Sequence, residues 1–404
     1  MHFIDLDRFI SKYVTEREKS LFEQDLNHYH DVLSDRINNA SILVIGGAGT
    51  IGSSFIKAML HFHPSRLYVV DINENALTEL TRDLRSSYHL NIPEDYKTYP
   101  MNMGDAVFEK LFRQTGPFDI VANFAAHKHV RSEKDPYSIQ AMIENNVFNA
   151  KKLLDLLLER PPKHFFCVST DKAANPVNVM GASKKLMEEV IMSYSGKIPI
   201  TTARFANVAF SNGSLLFGFL QRYMNRQPFS APTDIKRYFL SPRESGQLCM
   251  LACVLGASGD IFFPKLSTET MKDFAEIGTR LLDELGFVPD YCRDEQEARE
   301  KALNLSAGSV NYPVYYFKSD TSGEKPFEEF YTEEETLDLD HFEKLGVIKR
   351  LKSISLDEIE KIFEKLHALF SRETIEKKEV ITLLTEILPT FNHMEKGKSL
   401  DQKM

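Results

Sequence analysis

The chain has 404 residues, 43% of them hydrophobic and 26% charged, with a formal net charge of -9 and 4 cysteines. That length suits one large domain or two joined ones, with the composition of an ordinary globular protein. An acidic chain without a Lys/Arg block argues against a nucleic-acid partner, and cysteines without CxxC spacing argue against a disulfide framework. No apolar run reaches the roughly 18 to 20 residues that span a bilayer, and the N-terminus has no signal-peptide core, so a reducing cytoplasm is the expected compartment.

In chain order, residues 1–40 are polar with sparse apolar anchors, Phe9, Ile10, Tyr13, Leu21 and Leu26, and read as an appended helical segment. Residues 41–45 form a first apolar strand, 46–52 a glycine-rich turn and 53–62 a helix. A second strand, 66–70, ends at Asp71 and precedes a helix over 75–88. Strands are expected near 97–102, 119–124, Phe165 and Ile200, with helices at 138–158 and 179–195. Strands alternating with helices predict an α/β fold with a doubly wound, Rossmann-like parallel sheet over 41–210. Residues 211–350 read as a smaller, mixed α/β substrate-binding region interleaved with that sheet. It has helices at 215–224, 243–255 and 271–285 and short strands near 261–263 and 314–317. Residues 351–404 bring two amphipathic helices, 356–370 and 375–388, and a polar tail. Cys249 and Cys253, one helical turn apart in an apolar stretch, read as core. Glu333-Glu334-Glu335 after Thr332 reads as a solvated helix start.

Gly46-Gly47-Ala48-Gly49-Thr50-Ile51-Gly52 follows a strand and opens a helix, the context in which a glycine turn holds a dinucleotide pyrophosphate at a helix N-terminus. Asp71 would accept from the adenosine ribose hydroxyls and repel a 2′-phosphate, which favours NAD over NADP. Asp105 is a candidate for the adenine edge and equally for a helix N-cap.

The apolar run His164–Val168 reads as a strand ending at Ser169-Thr170-Asp171-Lys172. A hydroxyl, a carboxylate and an amine then stand where ligands of open α/β sheets bind, and an adjacent acid and base suit proton transfer at neighbouring carbons. The plainer reading of Asp171 and Lys172 is a surface ion pair. His127-Lys128-His129 lacks further ligands and is not read as a metal site.

Several stretches taken together resemble the extended short-chain dehydrogenase/reductase superfamily, and within it the UDP-N-acetylglucosamine 4,6-dehydratases of bacterial polysaccharide and glycan synthesis. They are the glycine turn, Ala125-Ala126-His127-Lys128-His129-Val130, Asn145-Asn146-Val147, Ser169-Thr170-Asp171-Lys172-Ala173, Asn178-Val179-Met180-Gly181-Ala182-Ser183-Lys184, Arg204-Phe205-Ala206-Asn207-Val208, Arg237-Tyr238-Phe239 and Gly323-Glu324-Lys325. Most of the superfamily has Tyr where Met180 stands, and the resemblance implies that Met marks the branch retaining configuration at C5. Arg131 and Phe217 stand where that branch often has Pro, and Arg243-Glu244-Ser245 also departs from it. Larger relatives carry an N-terminal transmembrane region; no such run stands in these 404 residues, and a soluble form of that branch is the expectation.

The resemblance implies oxidation at C4, loss of water across C5 and C6 and hydride return to C6, with NAD as a bound catalyst. It makes Lys172 the C5 base and has Asp171 protonate the leaving hydroxyl. Thr170 would aid C4 deprotonation, and Lys184 would hold the nicotinamide ribose. Burial, Lys184 and the positive nicotinamide ring are expected to keep Lys172 neutral. Gly46, Gly49, Thr50, Ile51, Gly52, Asp71, Asp105, Ala125 and Lys184 are the expected cofactor contacts. The UDP-sugar would meet Lys128, His129 and Met180. Asn207, Ser214, Arg237 and Glu324 are further candidates for its diphosphate or uracil, or else ordinary loop contacts. A homo-oligomer is expected. The rivals are a nucleotide-sugar 4-epimerase, which needs no acid–base pair at C5 and C6, a C5-inverting dehydratase, and a non-catalytic NAD-binding regulator.

Overall fold

The computed structural model describes residues 4–306, 308–319, 323, 325, 327–349 and 354–395. Its main sheet contains β1 (Ser41–Ile45), β2 (Arg66–Asp71), β3 (Asp95–Pro100), β4 (Ile120–Asn123), β5 (His164–Val168), β6 (Ile200–Ala203), β7 (Asp260–Pro264), β8 (Leu337–Asp338) and β9 (Leu345–Lys349). The spatial order is β8-β9-β7-β6-β5-β4-β1-β2-β3. From β3 to β7 every pairing is parallel. β9 and β8 add an antiparallel edge. Apolar runs such as Ile42–Ile45 and Phe165–Val168 are buried because helices cover both faces of the sheet. The order reverses between β1 and β4, which opens a crevice beyond the carboxyl ends of the strands. The α/β, Rossmann-like sheet expected from the sequence is the one observed.

The edge formed by β8 and β9 was not anticipated. A Cβ on Gly346 would lie 2.2 Å from the Phe263 ring, so glycine interrupts an apolar strand in order to pass beneath that ring. The acidic run is a correction. It starts no helix: Glu335 Oε2 accepts from Thr332 N at 2.9 Å, and its carboxylate reaches buried Arg204. The helix expected over 138–158 is also interrupted. Pro136–Ile143 and Asn149–Glu159 are joined by a π-turn at Glu144–Phe148. That turn carries Asn146, whose side chain accepts from His127 N (2.8 Å) and donates to His127 O and Ser183 Oγ (3.0 Å each). Cys249 and Cys253 are fully buried, as their spacing suggested.

A second core lies beside the sheet. It is built from the helices Leu215–Met224 and Phe274–Glu284 and a parallel three-stranded sheet of Phe229–Pro232, Val288–Tyr291 and Asn311–Phe317. The N-terminal segment serves both cores. Phe9, Ile10 and Val14 insert into the second, whereas Phe22, Leu33 and Ile37 pack into the first. Among the described residues no helix is long and apolar enough to cross a membrane.

One crossing positions the glycine turn. The Pro242–Leu255 helix packs against the Thr50–Met59 helix at Gly246, where a Cβ would fall 2.1 Å from Ser54 O and 2.9 Å from Phe55 N. The obstacle is backbone, so it cannot rotate away. Gly246→Ala should therefore cost about 1–3 kcal/mol through overpacking, read as a lower midpoint in urea unfolding. An unchanged midpoint would mean that the two helices separate freely.

Candidate functional site

β1 delivers the chain into a turn that only glycine permits. Gly46 has φ +71°, and a Cβ there would lie 2.4 Å from Ala125 N. A Cβ on Gly52 would lie 2.4 Å from Gly46 O. Gly49 differs, because its Cβ would meet nothing nearer than Gly46 O at 3.5 Å. It is the N-cap of the Thr50–Met59 helix and offers no side-chain cap. The first helical N–H groups therefore face an open cradle that fits an anionic pyrophosphate. Asp71 Oδ2 accepts from Ala48 N and Oδ1 from Asn73 N, both at 3.0 Å. The carboxylate is thus held against the glycine turn, where a ribose diol would need its acceptor. Thr50 Oγ1 accepts from Asn212 N at 2.9 Å, and Ala125 N donates to Asn123 Oδ1 at 3.0 Å. Exposed Asp105 occupies an N-cap position without capping, and its Oδ2 accepts instead from Asn102 N at 3.2 Å.

A cleft of about 370 Å³ opens over the ends of β4, β5 and β6. Of the residues expected at the site, Ile51, Lys128, His129, Thr170, Lys172, Met180, Lys184, Asn207, Ser214 and Arg237 line it. Glu324 lies outside the described residues. Lys128 Nζ donates to Asn212 O at 2.8 Å, and burial lowers its pKa. Burial also lowers that of His129, with Lys128, Arg131 and His127 adding to it. Ser214 Oγ accepts from Phe217 N at 3.2 Å and caps the Leu215–Met224 helix. Asn207 pairs with Phe239 in a two-residue bridge. Arg237 Nη1 donates to Lys236 O (2.9 Å) and Lys325 O (3.0 Å).

Under the cleft lies one connected polar run: Thr170, Lys172 and Lys184 line the cleft, whereas Asp171 does not and sits buried behind them. Asp171 is 4% exposed, and its Oδ1 accepts from Thr170 Oγ1 (2.8 Å), Lys172 N (2.8 Å) and Lys172 Nζ (3.0 Å). All three bonds go to Oδ1; Oδ2 has no hydrogen-bond partner among the described residues. Lys184 comes from the Val179–Ser193 helix, which Asn178 caps through Gly181 N (2.8 Å) and Glu133 caps through Val179 N (2.7 Å). Its Nζ donates to Val168 O at 2.7 Å and is fixed to the end of β5, and burial lowers its pKa.

The expectation of a neutral Lys172 needs correction. Burial does press its pKa down, but the carboxylates of Asp171 and Glu328 outweigh that, and the net shift is upward. Glu328, which sequence reasoning missed, is the second partner, with Oε1 at 3.7 Å from Lys172 Nζ. Arg131 also reaches the cleft. Behind β5, fully buried Arg204 was missed as a support. It donates to both oxygens of Glu188 (3.0 and 2.8 Å) and both of Glu335 (2.8 Å each). Glu188 Oε1 in turn accepts from Ser169 Oγ at 2.6 Å, one residue before Thr170. Two stretches singled out in the sequence held the signal: Arg204 begins one, and Glu328 closely follows the other.

A family model described as polysaccharide biosynthesis protein matches residues 42–350. An uncharacterized membrane protein of Methanocaldococcus jannaschii is 31% identical, the match covering 78% of this chain and 87% of that one. The capsular polysaccharide biosynthesis protein CapD of Staphylococcus aureus is 27% identical over 68% of this chain, which spans only 46% of its length. The inverting UDP-N-acetylglucosamine 4,6-dehydratase of Campylobacter jejuni is 24% identical over 59% of this chain and 70% of that one. The curated relatives thus include a nucleotide-sugar dehydratase, and UDP-glucose 4-epimerases as well. Among solved structures, Pen from Bacillus thuringiensis shares the fold, with TM-score 0.62 and 19% identity over 82% of this chain and 99% of that one.

Proposed function

The chain belongs to the polysaccharide biosynthesis protein family, and on that premise we propose that it is an NAD-dependent UDP-N-acetylglucosamine 4,6-dehydratase that retains configuration at C5. The observation that carries the reading is that Thr170 and Lys172, which line the cleft beside Lys184, both bond to the buried carboxylate of Asp171 between them. An epimerase has no use for such an acid–base pair. The glycine cradle and Asp71 support a dinucleotide with a free ribose diol, hence NAD. When bound, that cofactor supplies the hydride acceptor for C4 and the hydride donor for C6.

The chain's own groups then account for the protons. Met180 has only a thioether at the wall of the cleft and can neither give nor take a proton. Thr170 Oγ1 receives the C4 hydroxyl proton while passing its own along the 2.8 Å bond to Asp171 Oδ1. Asp171 gives that proton to the C6 hydroxyl, which departs as water. Lys172 Nζ removes the C5 proton, and its ammonium, whose hydrogens exchange with solvent, later gives one proton back to C5. No proton is left over. Lys184 Nζ, tied to Val168 O beside this run, would hold the nicotinamide ribose of the cofactor. Arg237, Lys128 and Arg131 bring positive charge to the cleft for a diphosphate.

Incubation with UDP-N-acetylglucosamine in deuterated water, without added NAD, tests the proposal by mass and NMR. We expect loss of one water, one deuterium at C5 and a 4-keto-6-deoxy sugar of unchanged C5 configuration. An inverted C5 would refute the reading of Met180; the Campylobacter jejuni relative is named as an inverting enzyme. C4 epimerisation without dehydration would refute the reaction itself.

A further inference from the structure

Glu328 stands in the site without a part in the proton sequence above. It is 4% exposed, and its Oε1 sits between two cations, 3.7 Å from Lys172 Nζ and 3.8 Å from Arg237 Nη2. Both distances exceed a hydrogen bond, so neither cation is locked to it. The charged groups facing Glu328 are Lys172, Asp171, Arg237 and Lys325, and those facing Lys172 are Asp171, Glu328 and Arg237. Burial and the neighbouring Asp171 push the Glu328 carboxyl toward its neutral form, while Lys172, Arg237 and Lys325 oppose this; the net shift is upward. Arg237 is among the residues that line the cleft, where the diphosphate of a nucleotide would add negative charge beside it.

Building on the dehydratase reading, we infer that Glu328 is a positioning residue: when a nucleoside diphosphate engages Arg237, Glu328 takes a proton from Lys172 and frees the amine to act as base. One N–H bond of the ammonium breaks and one O–H bond forms on the carboxylate. No proton enters or leaves the protein. The diphosphate offsets the Arg237 charge that opposes protonation of Glu328, and two buried carboxylates then share the one remaining cation, Lys172. This gives a route past the raised Lys172 pKa, because the base is released only once substrate is seated.

The test follows the Lys172 side-chain nitrogen by ¹⁵N NMR, identified by its loss in Lys172→Arg, with UDP alone as the probe. In the unaltered protein UDP should move the signal from the ammonium toward the amine position, whereas in Glu328→Gln it should leave the signal where it was. The same response in both proteins, or none in the unaltered one, would overturn the inference. Glu328→Asp keeps a carboxyl at longer reach and should respond weakly, and it serves if Glu328→Gln does not fold. In turnover, kcat of Glu328→Gln should rise about tenfold per pH unit on the alkaline side, as Lys172 must now lose its proton to solvent. The unaltered protein should show a flat profile there, and KM should change little. A loss equal at every pH would show a merely structural role. The NMR measurement needs no turnover, so inactivity of the unaltered protein on UDP-N-acetylglucosamine would count against the dehydratase reading alone.

Discussion

Replacing Arg204 by Met is expected to lower the unfolding free energy by about 3–5 kcal/mol at neutral pH, measured by urea unfolding. The side chain is 0% exposed, and its removal leaves Glu188, also 0% exposed, with Lys185 at 3.8 Å as its remaining ion-pair partner among the described residues. Although burial presses the Glu188 carboxyl upward, Arg204 wins and holds it down at about 2. An unperturbed Glu titrates near 4.3, so in the unaltered protein this group adds stability above that pH, and the gain fades as pH falls toward 2. Without Arg204 the Glu188 carboxyl is left to burial and rises, so acidification relieves the variant by protonating it. The penalty should therefore be full at pH 7 and shrink toward pH 4. The paired change Glu188→Leu with Arg204→Met removes both charges and should recover most of the loss. A penalty independent of pH would mean that lost packing, not a stranded carboxylate, dominates.

The second large effect is chemical. Lys172→Ala should reduce kcat for dehydration by about 10²- to 10⁴-fold, the usual range for a general base, and abolish deuterium incorporation at C5. Asp171→Asn should cost a similar factor. Its amide cannot carry a proton to the departing C6 hydroxyl, and it also withdraws the carboxylate that Lys172 and Thr170 share. KM should move little in either variant, because the losses fall on transition-state proton transfer and not on the diphosphate contacts. Full C5 exchange in Lys172→Ala would assign the base elsewhere and dismantle the proposed sequence.

What was legible in the sequence follows a physical pattern. Parallel strands buried on both faces leave unbroken apolar runs, so β1, β2 and β5 could be read directly. Helices with one apolar stripe, such as Leu215–Met224 and Leu356–Phe370, have the expected bounds. The glycine turn was legible because a forbidden Cβ is a local matter. β9 was not, since a glycine under the Phe263 ring breaks its run. Nor were the partners of Arg204 and Lys172. Glu335 and Glu328 arrive from far along the chain, and pairing over such separations leaves no periodic trace. Their sequence surroundings look like solvated acidic surface, and only the fold turns them inward. The upward shift of the Lys172 pKa shares that origin in part: Asp171 beside it contributes most, and Glu328, which adds to it, arrives from far along the chain.

The seam between the two cores has a consequence for how this protein can be cut. The span shared with the family is 42–350, yet Phe9, Ile10 and Val14 close one core and Phe22, Leu33 and Ile37 close the other. Arg17 bonds both oxygens of Glu244, the residue that completes the capping box of the helix packed on Thr50–Met59. Beyond the far border, Ile359, Phe363, Leu366, Val380 and Leu384 are buried in the main core. A fragment trimmed to the matched span would keep every residue that lines the cleft and lose parts of both cores that support it. The unit of kinship and the unit of folding are different lengths of the same chain.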